Sequence, residues 1–331
     1  MQKLWSSLEV RHTTTRRHAD ADALVRLGTV GEKRGKDMVT KDRMLFHYTS
    51  LQGLLGITES ASIWATNILY LNDASELLYA KDLLKEELTV FRKTNEGFAK
   101  TDTLDKSLGH FFLESFEDNI NTLLPSQTIG IFVCSFSEEG DLLSQWRGYS
   151  RTGQGFSLGF SLDRLKVLVE SARFSIKKVI YDRDEQISEI QKLLSDLAKR
   201  FADDVGNSVD KKRAWDEKAK RLLSDVMLEF IKLAPLLKHP KFAEEKEWRI
   251  MAALKTKQGS RAIKFRAGTS MVVPYLEVPL SLQSENLIID EINVGPTIER
   301  ALSAASVEML LKSQNIVCPA VSCSTIPFRA T

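Results

Sequence analysis

Metal-site and disulfide signatures are missing from this chain. It has three cysteines, Cys134, Cys318 and Cys323, an odd number without a CxxC spacing. That usage fits reduced thiols in a cytoplasmic protein better than a disulfide framework. The five histidines, His12, His18, His47, His110 and His239, form no HxxxH, HxH or Cys/His cluster, so no metal is expected. A GxGxxG fingerprint, a Walker P-loop and a GxSxG elbow are absent as well. No apolar run reaches the length of a membrane span, and MQKLWSSLEV lacks the apolar core of a signal peptide. An excess of one charge is lacking too. The formal net charge of +2 gives no global case for nucleic acid or an acidic membrane.

What is present is the composition of a soluble globular protein: 331 residues, 43% hydrophobic and 27% charged. Residues 1–42 stand apart, with nine lysines and arginines against six aspartates and glutamates. They read as a basic, flexible extension, the alternative being an arm that touches RNA or another partner. Residues 43–331 read as one α+β domain.

Within that domain, Met44–Tyr48 predicts a strand that sends Phe46 and Tyr48 to one face and His47 and Thr49 to the other. A short leucine-rich helix and a strand over Ser62–Asn67 follow. Asn72-Asp73-Ala74-Ser75-Glu76 carries a helix-start signature, Asp73 as N-cap and Glu76 as its partner, ahead of a helix to about Arg92. Further helices are expected over Thr103–Leu123, from Leu142 to Tyr149 and over Arg164–Ala172. IGIFVCSF, from Ile129 to Phe136, is apolar on both faces and reads as a central strand. Residues 184–237 predict a helical hairpin, read as a cap on the sheet, with a docking surface for a protein partner as the alternative. The last third is mostly strand. Strands at both ends with helices between predict α+β, with a split, mostly antiparallel sheet and inserted helices.

Two blocks carry groups able to do chemistry: Phe46-His47-Tyr48-Thr49-Ser50 and Glu244-Glu245-Lys246-Glu247-Trp248-Arg249-Ile250. If the second is extended, Glu245, Glu247 and Arg249 share one face, while Trp248 and Ile250 anchor the other. Two like charges so placed raise the pKa of one. The bland alternative is a solvated strand edge with an Arg249 salt bridge.

Five ordered blocks, His47 to Ser50, Leu71 to Glu76, Cys134 to Glu138, Trp146 to Tyr149 and Glu245 to Arg249, resemble a bacterial family of unknown function over about Leu45 to Arg329. More loosely, a strand ending in His-x-Thr and a late glutamate heading a strand are similar to NAD-using ADP-ribosyltransferases of the His-Tyr-Glu type. That resemblance implies NAD as substrate, with no metal, and ADP-ribose transfer to a macromolecular acceptor, protein or nucleic acid. It implies His47 and Thr49, next to Tyr48, at a ribose and Glu247 as the 2′-OH acid. It also places Glu245 at the incoming nucleophile and Arg249 beside the site. Tyr70, Trp146 and Tyr149 compete for the place that stacks on nicotinamide. A bacterial toxin or anti-phage effector is the role implied by analogy. His47 and Glu247 should then reach one cleft. A non-catalytic binding module on the same scaffold is the rival, and a nucleic-acid binder using residues 1–42 is a third.

Overall fold

The computed structural model describes residues 43–71, 75–94, 114–118, 129–149, 155–201, 203, 220–255, 263–268, 270–281, 287–317 and 320–327. The extension 1–42, the Asn72-Asp73 cap, most of the Thr103–Leu123 helix and the turn of the hairpin lie outside them.

The fold is α+β with a mostly antiparallel open sheet. Its strands are β1 (Met44–Ser50), β2 (Ser62–Asn67), β3 (Ile129–Ser137), β4 (Gly155–Ser161), β5 (Ser175–Lys178) and β6 (Glu247–Lys255). They continue with β7 (Lys264–Ala267), β8 (Val272–Pro279), β9 (Glu291–Val294) and β10 (Ala320–Cys323). The order runs β10-β9-β4-β1-β3-β2-β8-β7, and β6 lies between β3 and β5. Only the β9–β10 pair among these is parallel.

β3 is central, as its two-sided apolar pattern predicts. Its whole length pairs with β6, from Ile129 opposite Lys255 to Ser137 opposite Glu247. The other edge is shared. β1 meets it at Phe46 and Ser137. β2 meets it at Thr66 and Val133, and at Asn67 and Phe132. Cys134, Ser135 and Phe136 therefore face no strand on that edge. Two strands that reach one edge at different heights must diverge, and the sheet forks there.

Two apolar cores follow from the alternation. Phe132, Cys134, Phe136 and Ile250 point to one face, with Leu45, Leu54, Ile63, Leu158 and Leu165. Val133 and Met251 point to the other. The helix α1 (Leu51–Ser60) buries Leu54 and Ile57, Ser50 caps its start by accepting from Gly53 N, and Ala61 ends it in the left-handed region. The helices α2 (Ser75–Thr94), α3 (Leu143–Tyr149), α4 (Leu162–Ser171), α5 (Arg183–Phe201), α6 (Lys220–Leu233) and α7 (Arg300–Ser313) complete the described set.

The predicted hairpin is α5 and α6. Ile190, Leu193, Leu194, Leu197 and Phe201 pack against Leu222, Val226, Met227 and Phe230, together with Leu77, Leu84 and Leu88 of α2. It is thus part of a core rather than a solvated cap. No helix among the described residues is long and apolar enough to cross a membrane.

Candidate functional site

The fork in the sheet opens a cavity of ≈640 Å³. His47, Thr49 and Thr66 line it, as do Trp64, Tyr70, Cys134, Ser135 and Arg266. A second cavity of ≈280 Å³ is lined by Glu76, Ser144, Gln145, Lys238, Glu245, Glu247 and Arg249. Tyr48, Leu71, Ser135, Gly148 and Tyr149 line both. The two cavities therefore meet along a shared wall, but His47 lines only the larger and Glu247 only the smaller, so the single cleft expected of that pair is not formed.

His47 sits where the ladder breaks. Its Nδ1 donates to the Ser135 carbonyl at 3.0 Å, taking up an acceptor that a continued β1 would have bonded. This selects the Nδ1–H tautomer of the neutral ring and leaves Nε2 as the acceptor. Burial pushes its pKa below the ordinary 6.5, and the Ser135 bond only partly opposes this. The ring packs beside Phe136 at 5.5 Å and Cys134 Sγ at 3.6 Å, on the face opposite Glu247. Thr49 is buried next to it. A Cβ built on Gly53 falls 1.9 Å from Thr49 Oγ1, so that hydroxyl occupies the space a side chain would take.

At the other end, the Glu245–Arg249 block is not the solvated edge weighed as its bland alternative. β6 is an interior strand, and Glu247 and Arg249 are 4% and 2% exposed. Arg249 Nε donates to Glu247 Oε1 at 2.7 Å, and its NH2 reaches Glu247 Oε2 at 3.0 Å and Glu76 Oε2 at 2.6 Å. Its NH1 bonds the Pro235 carbonyl at 2.6 Å. Lys238 Nζ donates to Glu245 Oε2 at 2.6 Å and Glu247 Oε2 at 2.9 Å. Glu76 Oε1 lies 3.0 Å from that ammonium without hydrogen-bond geometry. Three carboxylates thus share two cations.

The two acids of the pair diverge. Burial pushes the Glu247 carboxyl up, but Arg249 and Lys238 overcome it and hold it down at about 2. Burial pushes Glu245 up, Lys238 opposes it, and Glu247 and Glu76 add to it, so it ends above the usual carboxylate range. Burial depresses Lys238, yet Glu247, Glu76 and Glu245 raise it above its ordinary value. The raised member of the pair that the sequence predicts is therefore Glu245.

The nominated aromatics separate. Trp146 is 0% exposed, packs on Tyr48 and gives its Nε1–H to Asp141 at 2.7 Å. It lines neither cavity, because its flat apolar surface fills the space under β1. Tyr48 OH donates to the Glu139 carbonyl at 2.8 Å and accepts from Leu142 N at 2.9 Å, which fixes that loop. Tyr70 and Tyr149 are 36% and 46% exposed and face open space. Tyr149 stacks on Tyr48, with ring centroids 6.3 Å apart.

Glu76 corrects the helix-cap reading, since its carboxylate serves Arg249 and Lys238. Sequence reasoning missed Lys238 as well. A lysine set between Leu236-Leu237 and Pro240 was its one signal, because an apolar setting forces such a charge to find partners. Arg266 was missed too, on a short edge strand with no motif around it.

Residues 145–250 match the family described as "Protein of unknown function (DUF2971)". This is a domain of unknown function covering less than half of the chain, and it contains Trp146, Tyr149, Lys238, Glu245, Glu247 and Arg249. No curated protein and no solved structure matches the chain.

Proposed function

We propose that the joined cavities are the site of an ADP-ribosyltransferase-like enzyme that cleaves NAD and passes ADP-ribose to a macromolecular acceptor. One observation carries this reading: the two cavities meet, and their charge differs. The larger holds His47 and Arg266, and no aspartate or glutamate lines it among the described residues. The smaller holds three carboxylates against two cations. NAD has the matching asymmetry, with an anionic pyrophosphate and a cationic nicotinamide ring.

Cleavage breaks the bond from ribose C1′ to the nicotinamide nitrogen, and the bonding pair leaves with nicotinamide. The sugar gains oxocarbenium character, which a preorganised carboxylate stabilises without a metal. The acceptor nucleophile then adds at C1′ and releases its proton. Glu247 is walled in by Arg249 and Lys238, so it acts as a fixed negative charge. Glu245 is more open, with its side chain 20% exposed, and is the carboxylate that meets the sugar or the acceptor's proton. Ser144 Oγ, buried on the same wall with no hydrogen-bond partner among the described residues, offers a further hydrogen bond. Tyr70 and Tyr149 provide stacking surfaces.

The test is nicotinamide release from NAD in the presence of a bacterial lysate as acceptor source. Glu245→Gln should lower the rate on the order of 100-fold while keeping a native unfolding curve. Wild-type protein that neither binds NAD nor releases nicotinamide sinks the reading. The saturation of Glu247 by its two cations favours a second reading, a binding module. That protein would bind ADP-ribose by calorimetry and leave NAD intact.

A further inference from the structure

Among the described residues, Arg266 on β7 is a cation without a counter-charge. Its guanidinium lies over Trp64 at 5.8 Å, and its Nε is buried with no hydrogen-bond partner among the described residues. Among the described residues its side chain makes no ion pair. Glu277, the carboxylate of the neighbouring strand β8, is taken by Lys264 at 2.7 Å. A buried donor left this way costs stability unless a ligand satisfies it.

The cavity that Arg266 lines has a second feature suited to an anion. α1 enters it with Gln52, Gly53 and Gly56, and no acidic residue occupies that helix's first turn. Ser50 Oγ takes up Gly53 N–H, and no carboxylate offsets the remaining partial positive charge of the helix start. A Cβ built on Gly56 meets nothing within 4 Å. Packing within the protein does not demand glycine there, and the space beside it is open cavity. Trp64, 43% exposed and backed by Tyr275 at 4.5 Å, gives the same cavity a flat aromatic surface.

We infer that Arg266, with the glycine-bearing face of α1, forms a subsite for the phosphates of a nucleotide, whose base lies on the aromatic wall at Trp64. The inference rests on the dinucleotide reading of the joined cavities. It adds the residue that anchors the anion, which neither of the two motif blocks supplies. Guanidinium binds phosphate through paired charge-assisted hydrogen bonds, so a lysine replaces it only in part.

The experiment is calorimetric titration of wild type, Arg266→Gln, Arg266→Lys and Gly56→Leu with ADP, inorganic pyrophosphate and adenosine at low salt. Circular dichroism melting of each variant checks the fold. Wild type should bind ADP more tightly than pyrophosphate. Arg266→Gln should weaken ADP by about 10- to 100-fold and leave adenosine unchanged. Arg266→Lys should recover part of the loss, and Gly56→Leu should weaken ADP with no fall in melting temperature. Unchanged ADP affinity in either Arg266→Gln or a folded Gly56→Leu overturns the subsite. Pyrophosphate binding as tight as ADP assigns it to a free anion and overturns the nucleotide. NAD turnover with an unchanged KM in Arg266→Gln removes the subsite and keeps the transferase. Arg266-dependent ADP binding without nicotinamide release in wild type does the reverse.

Discussion

The two cavities differ in how their charges are spent. In the smaller, Glu76, Glu247, Lys238 and Arg249 bond one another, and all four are buried. In the larger, Arg266 is held, among the described residues, only against an aromatic ring, and His47 keeps one ring nitrogen as an acceptor. A closed charge network holds a fold and presents a fixed field. Uncommitted polar groups on an open wall are what a ligand can use. Glu245 sits at the boundary of the network, on the wall of the smaller cavity, with its side chain 20% exposed.

Stability should break this comparison first if it is wrong. Arg249→Met leaves Glu76 and Glu247 buried without their guanidinium, and should cost about 3–5 kcal/mol in denaturant unfolding. Arg266→Gln, in the larger cavity, should change the same measurement by less than about 0.5 kcal/mol. Equal losses would mean that both arginines are structural.

The glycines of α1 give a smaller contrast. Gly53→Ala must displace the Thr49 hydroxyl 1.9 Å away and should cost about 1–3 kcal/mol. Gly56→Ala, which meets open space, should gain up to about 1 kcal/mol from helix propensity. Thermal melts of the two single variants separate them.

Acid titration should sharpen the comparison last. The folded pKa of Glu247 lies below its unfolded value, so its contribution is present above the ordinary carboxylate range and is lost as pH falls through about 2. His47 has the same sign at higher pH. Its contribution is present above 6.5 and is lost as pH falls through its depressed value. Glu245 runs the other way: its contribution is present below the ordinary range and is lost as pH rises through its raised value. Urea unfolding between pH 8 and pH 3 should show the near-neutral component vanish in His47→Gln. An unchanged profile in that variant removes the histidine from the account.

Much of the architecture was legible because it is local. Two-residue alternation set out β1, β2 and β6, and helical spacing set out α5 and α6. The two chemical blocks were legible as well, since a histidine at a strand end and a carboxylate pair heading a strand stand out in any reading. Helix α2 was placed to within two residues, yet Glu76 at its start was misjudged. Capping is a local rule, whereas its actual partner, Arg249, is 173 residues away.

The chain's own pattern decided which residues are apolar, which face of each strand they take and where the titratable groups cluster along the backbone. Tertiary structure decided which of those groups are consumed by one another. It buried Trp146 and exposed Tyr149, three residues on in one helix. It closed Glu247 into a network and left Glu245 at its edge. It also left Arg266, which no motif marks, without an ion-pair partner among the described residues. Pairing is a property of distance in space, and β3, which brings β1, β2 and β6 together, draws them from positions far apart in the chain.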